Sequence, residues 1–357
     1  MNKQGPAAQT LIIRADGGPV TGAGHLMRTL AIAESWKRRG GEVFYLSAET
    51  TSSFHDNLEQ RGMKFMAIAA DIGSDADARE TIALAEKHEA EWIIVDGYSF
   101  APVWRAALAG AGLKVLLIDD LAQAGPYRDN IVLNPNPRAA ALDYRFERED
   151  PVFLFGLDYA LIRDEIRNAR VDAAPGPEPQ GPTPRILVTL GGSEIVSKTY
   201  LHVAAALAAA KGEAVELTFA CPDKPGLRKN IAAVLAGSRC EVRFPARNAS
   251  WGRELARAGF IVTGCGGSVF EILFLRKHFA AIALADNQRL VADYLAASRF
   301  ARCFEAAALA ADEETRALLA AETQTASSTV EPGPDVIDGK GPERIIEAML
   351  EFPSGGN

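Results

Sequence analysis

The sequence has few cysteines and no segment with the features of a membrane anchor or a signal peptide. Its four cysteines are Cys221, Cys240, Cys265 and Cys303, and no two of them have CxxC spacing. A zinc knuckle is therefore not expected, and the thiols are predicted to be small buried side chains. No stretch approaches the roughly eighteen consecutive apolar residues of a spanning helix. The start MNKQGPAAQT lacks an apolar core, so we expect a cytoplasmic protein without stable membrane association.

Long basic runs are also missing. The chain has 38 lysines and arginines against 46 aspartates and glutamates, which gives a formal net charge of −8. A surface for binding nucleic acid is therefore not expected. An anionic ligand would need donors placed locally, because the protein as a whole does not attract it.

The chain does contain a regular alternation of short apolar runs and longer amphipathic stretches. Its 357 residues suggest two domains. Strands are predicted at Leu11–Ala15, Val43–Ser47, Trp92–Val95, Lys114–Ile118, Ile131–Leu133, Arg185–Leu190, Ala214–Ala220, Glu241–Phe244, Phe260–Thr263 and Phe279–Leu284. Helices are predicted over His25–Arg39 and Pro342–Leu350, and between strands. This rhythm predicts two doubly wound, Rossmann-like α/β domains that face each other across a ligand-binding cleft.

The boundary between the domains is predicted from composition. Residues 173–184 read AAPGPEPQGPTP, with five prolines and two glycines, which is typical of a linker. The N-terminal domain is accordingly predicted over residues 9–172 and the C-terminal domain over residues 185–330. Residues 331–357 are predicted to form a C-terminal helix and tail.

The first βα turn combines glycines with a histidine. Arg14 and Asp16 close the first strand, and GGPVTGAGH leads into the helix. Gly22 and Gly24 let the backbone pass close to a ligand, and N–H groups at the helix start favour an anion or a polar sugar. The positive end of the helix disfavours an imidazolium at His25, and a neutral imidazole suits a general base. A histidine that only caps the helix or packs beneath it is equally compatible with the spacing.

Five segments carry a family pattern in chain order: RADGGPVTGAGHLMRTLAIA, IIVDGYSF, FGLDYALIRDEI, ILVTLGGSE and DVIDGKGPERIIEAML. The ordered set resembles the UDP-sugar hydrolases of the pseudaminic acid pathway, over nearly the whole chain. That family hydrolyses UDP-2,4-diacetamido-2,4,6-trideoxy-β-L-altropyranose, and its fold is similar to that of the GT-B glycosyltransferases. The resemblance implies sugar chemistry in the N-terminal domain, nucleotide binding in the C-terminal domain, and cleavage at the anomeric carbon without a metal or cofactor.

The resemblance also implies that His25 is the catalytic base. UDP is a good leaving group, so a base that activates one water and donors that hold the diphosphate suffice. Attack opposite the leaving group inverts the anomeric carbon. Asp16 is a candidate partner that orients His25, or it caps the loop. Tyr98 follows the strand Trp92–Val95 and either holds the sugar or water, as in the family, or plugs the strand end.

Further candidates for contact with the sugar lie in the same domain. Asp96 precedes Tyr98 in the DxY segment, and Arg14 closes the first strand. Arg14 and Arg28 either bind the substrate or form structural salt bridges. Asp119 and Asp120 end the next strand and are either supporting residues of the site or ordinary acids of a βα turn.

The C-terminal half has two glycine turns that suit a diphosphate. Gly191, Gly192 and Ser193 follow one predicted strand, where a tight turn exposes N–H groups. The second turn is Gly264–Ser268, with Glu271 just beyond it.

Two interpretations of the second turn stay open. Ser268-x-x-Glu271 matches a capping box. Alternatively, Gly266, Gly267 and Ser268 bind phosphate while Glu271 accepts the ribose hydroxyls, which the resemblance favours. Family members commonly have a hydroxyl residue four positions before this glutamate, where this chain has Gly267. The donors to phosphate therefore stay undetermined.

Other candidate ligand contacts follow later strands. Asn287 and Gln288 open a predicted helix and match an asparagine–glutamine pair of the family that lies at the cleft, although an N-cap is the alternative. Phe244 begins a loop, residues 244–248, that can offer backbone groups to uracil.

Two other functions would use the same donor site. A GT-B glycosyltransferase passes the sugar to an acceptor hydroxyl, and a non-catalytic nucleotide-sugar-binding protein does not need His25 to face the ligand. A transferase with a lipid acceptor needs an apolar patch with a basic rim. The first helix has basic residues only at its end, Lys37, Arg38 and Arg39. The hydrolase is therefore the first hypothesis, with a UDP-sugar as its partner.

Overall fold

The computed structural model describes residues 9–18, 22–147, 152–172, 183–193, 196–209, 214–246, 249–327 and 335–353. They form two compact units. The first contains Ala23–Arg163, the strand before it and the C-terminal residues from Gly339. The second contains Asp164–Asp338 and a short piece of the first loop that includes Gly22.

The units divide the chain at a different place from the predicted boundary. The helix Asp164–Asp172 groups with the second unit, and the C-terminal helix groups with the first. Of the predicted linker 173–184, residues 173–182 lie outside the described residues.

Each unit is built on one parallel sheet. The strands are β1 (Thr10–Ala15), β2 (Glu42–Ser47), β3 (Lys64–Ala67), β4 (Trp92–Asp96), β5 (Lys114–Ile118), β6 (Ile131–Asn134), β7 (Val152–Phe155), β8 (Arg185–Thr189), β9 (Val215–Phe219), β10 (Cys240–Arg243), β11 (Phe260–Gly264), β12 (His278–Ala283) and β13 (Arg302–Glu305). The first sheet has the order β3-β2-β1-β4-β5-β6-β7 and the second β10-β9-β8-β11-β12-β13. Every pairing between these strands is parallel.

Helices connect most of the strands. They are α1 (Gly24–Arg38), α2 (Ser52–Gln60), α3 (Asp75–Lys87), α4 (Pro102–Gly110), α5 (Asp164–Asp172), α6 (Ser197–Ala208), α7 (Pro225–Leu235), α8 (Trp251–Arg257), α9 (Ser268–Phe274), α10 (Arg289–Ala297), α11 (Ala306–Ala311), α12 (Glu313–Ser327) and α13 (Gly341–Glu351). Within the described residues, no helix is long and apolar enough to cross a membrane. The prediction of two doubly wound α/β domains is confirmed.

Continuous apolar strands explain why the sheets are covered on both faces. Leu11, Ile12 and Ile13 in β1 are all fully buried, as expected for a parallel strand between two helical layers. Leu11 and Ile13 belong to a core cluster with α1 and α13, whereas Ile12 belongs to the cluster on the opposite face. The hydrophobic effect of burying these side chains holds the central strand, and with it the loop that follows, in place.

The strand order reverses once in each sheet. In the first it reverses between β1 and β4, and in the second between β8 and β11. In open parallel sheets the loops at the carboxyl ends of two such strands diverge to opposite faces and leave room for a ligand. Candidate residues that follow β1, β4, β8 and β11 lie at these two places.

Candidate functional site

His25 and Asp96 meet at the reversal point of the first sheet. His25 lies in the first turn of α1, directly after the β1 loop, and Asp96 is the last residue of β4. Register places Asp96 beside Ala15 at the carboxyl end of β1. His25 Nδ1 lies 2.7 Å from Asp96 Oδ1. Since an ionised carboxylate only accepts hydrogen bonds, Nδ1 carries the proton and Nε2 is the nitrogen with a lone pair.

Arg28 completes a charged network around this pair. It is one turn after His25 on α1 and donates from Nε and an Nη to both oxygens of Asp96, at 2.6 Å each. Its other Nη donates to both oxygens of Asp120, at 2.9 and 2.7 Å. The Asn136 side-chain amide lies 3.4 Å from Asp120. This network ties together α1 and the loops that follow β4, β5 and β6.

The electrostatics of the network keep Asp96 ionised. Burial raises the pKa of Asp96, but the charges of Arg28 and His25 and their hydrogen bonds outweigh burial and hold the pKa well below its usual range. For the cation Arg28, burial lowers the pKa. The charges of Asp120 and Asp96 raise it by more, so the pKa of Arg28 is increased overall. Asp96 itself is fully buried, whereas the His25 side chain is 16 % exposed. The arrangement is a carboxylate-oriented imidazole that solvent can reach.

Tyr98 lies beside this imidazole. Its ring meets the His25 ring edge-on, with centroids 5.2 Å apart. The residue is 61 % exposed, so it is not a half-buried plug at the end of the strand. An aromatic ring with a hydroxyl in this position can pack on a sugar and donate or accept a hydrogen bond.

Arg14 and Asp16 are hydrogen-bonded to each other and to other groups of the first unit. Arg14 is fully buried and binds Asp77 through Nε and an Nη, at 3.1 and 2.9 Å, and Asp16 at 2.6 Å. Asp16 also accepts from Ser47 Oγ and from the backbone N–H groups of Ala48 and Glu49.

These contacts differ from the expected roles. A guanidinium without exposed surface has no face for a substrate, so Arg14 is not a direct contact in this structure. The carboxylate that orients His25 is Asp96 rather than Asp16. Asp16 instead joins the end of β1 to the end of β2. Asp96, expected to contact the sugar, is fully buried and bonded to the imidazole.

The glycines of the first loop have different surroundings. Gly22 is buried with φ +72°, and a Cβ there would lie 3.5 Å from the backbone nitrogen of Ser193. Gly24 is exposed, and a Cβ there would meet nothing within 4 Å. No side chain of the described residues caps the start of α1. Thr21, a possible hydroxyl donor in the same loop, lies outside the described residues.

The reversal point of the second sheet is lined by glycine turns. Gly191 (φ +94°) and Gly192 follow β8, are exposed, and have open space where a Cβ would lie. The Tyr200 hydroxyl accepts from Leu190 N at 2.8 Å and donates to Ala220 O at 2.7 Å, which fixes the strand end before the turn. Ser193 is half-buried. At both glycines the position of a Cβ is open space, and backbone of this kind can approach a diphosphate closely.

The second turn does not form the capping box that the spacing suggested. Helix α9 begins at Ser268 itself, its N-cap is Gly267, and no side chain caps it. Glu271 is 5 % exposed and accepts a hydrogen bond from the Trp251 indole N–H, at 3.2 Å. Gly266 and Gly267 stand before the helix, with open space beside Gly267. Ser268 is therefore inside the helix rather than at the N-cap position that the capping box requires, and one oxygen of Glu271 is bonded to Trp251.

Residues after β12 and β10 complete the second unit's candidates. A short 3₁₀ turn, Asp286–Gln288, contains Asn287 and Gln288, and Gln288 Oε1 accepts from Leu284 N at 3.1 Å. A Cβ on Gly266 would lie 3.9 Å from Gln288 Nε2, so Gln288 borders the glycine turn. Phe244 packs on the core of the second unit and lies under the Arg228 guanidinium. The predicted uracil loop extends to residues 247 and 248, which lie outside the described residues.

The structure thus brings His25, Asp96 and Tyr98 together in the first unit, and Gly266 and Gln288 together in the second. Asn136 and Trp251 were not predicted. Asn136 follows β6 at the same sheet edge as Asp120, which is a usable signal, whereas nothing in the spacing links Trp251 to Glu271. Among the described residues, no group of three or more His, Cys, Asp or Glu is placed to hold a metal ion.

Comparison with known proteins gives fold relatives only. No protein-family model matches the chain, and no curated protein matches it. MurG of Acinetobacter baumannii is 15% identical, covers 96% of this chain and 99% of its own, and gives a TM-score of 0.60. UDP-GlcNAc 2-epimerase of Neisseria meningitidis, bound to UDP-GlcNAc, is 11% identical over 96% of this chain and 100% of its own, with a TM-score of 0.61. The spinosyn rhamnosyltransferase SpnG is 16% identical, covers 97% of each chain and gives a TM-score of 0.58.

At these identities the likeness establishes the fold. The chain has the GT-B-like architecture of two doubly wound α/β units, and the prediction of that fold class is confirmed.

Proposed function

We propose that this protein hydrolyses a UDP-linked sugar at the anomeric carbon, with His25 as the general base. The observation that carries the proposal is the His25–Asp96 hydrogen bond at the reversal point of the first sheet. It leaves Nε2 as the basic nitrogen of a partly exposed ring. Tyr98 beside that ring supplies an exposed aromatic surface with a hydroxyl.

The chemistry needs only groups of this kind. Nε2 takes a proton from water while the water oxygen bonds to C1, and the bond from C1 to the diphosphate oxygen breaks. The electron pair of that bond leaves with UDP, and the products are UDP and the free sugar, with C1 inverted. Asp96 stabilises the imidazolium that forms and keeps the ring oriented. Arg28 donates to both oxygens of Asp96 and so holds the carboxylate in position beside the imidazole.

The nucleotide is assigned to the second unit. The turns at Gly191–Gly192 and Gly266–Gly267 supply N–H groups for the diphosphate, and Glu271 supplies a carboxylate for the ribose. The Neisseria epimerase, of the same fold, is bound to UDP-GlcNAc. The ligand bound to that epimerase supports a uridine nucleotide as the first ligand to test.

The sugar is proposed from the resemblance to the pseudaminic acid hydrolases. The motifs around His25, Tyr98, Gly191 and the C-terminal helix match that family in order. We therefore propose UDP-2,4-diacetamido-2,4,6-trideoxy-β-L-altropyranose as the substrate, in a pathway to a nonulosonic acid, without a metal.

The test follows release of UDP from this compound with no acceptor present, in EDTA. Proton NMR during the first minutes identifies the anomer formed. The proposal predicts release that EDTA does not slow, with the inverted anomer appearing first. A UDP-sugar that stays intact in the presence of folded protein would refute the proposal. An isomerised UDP-sugar would indicate an epimerase.

A glycosyltransferase is the second candidate, because several of the structures with this fold are glycosyltransferases. It would use the same donor site and a hydroxyl in place of water. Release of UDP only after an acceptor is added would favour it. Binding of UDP-sugar without any turnover, with or without acceptors, would favour a non-catalytic binding protein.

A further inference from the structure

The buried carboxylate of Glu271 has a specific donor. Trp251, the first residue of α8, directs its indole N–H to Glu271 Oε2 at 3.2 Å. Trp251 is partly buried and Glu271 is 5 % exposed. A neutral N–H that holds one carboxylate oxygen fixes the rotation of the carboxylate plane without neutralising its charge.

Helix α8 is itself held from two sides. A Cβ on Gly252, the residue after Trp251, would lie 2.4 Å from the Glu165 carbonyl oxygen in α5, so the two helices touch through this glycine. Glu254, which is 9 % exposed, pairs with Arg243 at the end of β10. These two contacts anchor α8 to α5 and to β10, so the indole is presented from an anchored helix.

We propose that Trp251 is a positioning residue for recognition of the nucleotide ribose, acting through Glu271. This inference rests on the proposed function, in which Glu271 accepts the two vicinal ribose hydroxyls. A glutamate has three side-chain torsions, and an unheld carboxylate would have to be ordered when the nucleotide binds. The indole orders it beforehand, so the hydrogen bonds to the ribose form at a smaller entropic cost.

The experiment measures Kd for UDP and for 2′-deoxy-UDP by isothermal titration calorimetry, in wild type and Trp251→Phe. Wild type is expected to prefer UDP by about tenfold or more, because a hydroxyl bonded to a charged carboxylate is lost in the deoxy ligand. In Trp251→Phe we expect the preference to fall to about threefold or less. The loss should lie in UDP affinity, with the Kd for 2′-deoxy-UDP changing by about twofold or less.

A purely structural role of Trp251 would not change the ratio of the Kd for 2′-deoxy-UDP to the Kd for UDP. Trp36→Phe is the matched control, since Trp36 also donates its indole N–H, to Gln9 O at 3.0 Å in the first unit. It should leave the preference for UDP unchanged. If Trp251→Phe does not fold, Trp251→Tyr removes the same N–H with a smaller change of volume and is measured instead.

A double-mutant cycle tests whether Trp251 acts through the carboxylate. In a Glu271→Ala background, Trp251→Phe should change the UDP Kd by about twofold or less, because the group that it positions is gone. Full additivity of the two losses, or an unchanged UDP preference in Trp251→Phe, would overturn the inference while leaving the proposed function standing. A wild type that does not bind UDP would overturn both.

Discussion

The sheets of the two units share one order for their first six strands, to which the first unit adds β7, but the candidate sites contain different groups. At the reversal point of the first sheet, charged side chains converge: His25, Arg28, Asp96 and Asp120 form one hydrogen-bonded network. At the reversal point of the second, the turns are glycine, and the main buried charge is Glu271. Side chains supply protons and orientation, whereas bare backbone supplies N–H groups to a charged ligand. The same fold therefore suits chemistry in one unit and binding in the other.

The His25 imidazole is the group whose removal should cost the most activity. His25→Ala should lower the rate of UDP release by about 10³-fold, within the range for loss of a general base. The Kd for UDP should change by about twofold or less, because the nucleotide is assigned to the other unit. Rates come from coupled UDP detection and Kd from calorimetry. Loss of UDP binding with normal turnover of the bound fraction would assign His25 to binding.

The buried Arg14 tests whether a charge in the first unit can be purely structural. Arg14→Met leaves Asp77 buried without its partner and should lower the free energy of unfolding by about 3–5 kcal/mol. Chemical denaturation measures it. The control is Arg38→Met, since the Arg38–Glu343 pair is 40 % and 30 % exposed and contributes about 1 kcal/mol or less. A stable Arg14 variant with a raised KM would restore Arg14 as a substrate contact.

Replacement of Asp96 tests how much of the reaction rate depends on the orientation of His25. Asp96→Asn keeps the shape but loses the charge that holds the Nδ1 proton, and should slow UDP release by about 10²-fold. Rates are compared over the full pH range, and saturation of the enzyme with the UDP-sugar substrate is checked at each pH. A rate within a factor of about two of wild type would exclude Asp96 as the positioning residue.

The same carboxylate should contribute to stability in a pH-dependent way. Its pKa is held below the usual range because Arg28 and His25 outweigh the effect of burial. Ionised Asp96 therefore stabilises the folded state above about pH 4, and this contribution is lost as pH falls through the folded-state pKa. The stability difference between wild type and Asp96→Asn should be largest near neutral pH and shrink toward pH 3. A difference that grows on acidification would contradict this sign.

Glu271 tests the binding role of the second unit. Glu271→Ala should weaken UDP binding by about 10- to 100-fold, since a charged hydrogen-bond acceptor for the ribose is lost. With substrate at saturation, the turnover rate should fall by much less. A variant that cannot fold would instead point to a structural role for the buried carboxylate.

The neighbouring residues Gly191 and Gly192 differ in backbone conformation. Gly191 has φ +94° and Gly192 does not have a positive φ, yet both have open space where a Cβ would lie. Gly191→Ala should cost about 1–2 kcal/mol of stability from backbone strain, and Gly192→Ala about half of that or less. Equal costs in thermal denaturation would show that the conformation of the turn is not the cause.

The sequence predicted the interior of both sheets better than their edges. Strands β3, β7 and β13 were not predicted, and all three lie at the edge of a sheet. Each is four residues long, and β3 and β13 carry exposed charged residues. β3 and β13 lack the continuous apolar signal of a central strand because one side of an edge strand faces solvent. β7, with the sequence VFLF, has an apolar run that was not assigned to a strand.

The candidate site was predictable where the signal is local. Glycine turns and a histidine at a strand end are visible in a few residues, and both glycine turns lie at a reversal point. The partner of His25 is 71 residues away in sequence, and nothing in the spacing distinguishes Asp96 from the nearer Asp16. The spacing Ser268-x-x-Glu271 matches a capping box, but helix α9 begins one residue earlier than a capping box requires. The Glu271 carboxylate accepts a hydrogen bond from the Trp251 indole instead.

The most direct test of the central claim is mass spectrometry of the UDP released in H₂¹⁸O with no acceptor and with EDTA. Attack of water on C1 breaks the bond between carbon and oxygen, so we expect rapid release of UDP that carries no ¹⁸O. UDP that carries ¹⁸O would mean attack at phosphorus, and no release without an acceptor would mean that water is not the nucleophile. Either result would contradict a hydrolase that acts through His25.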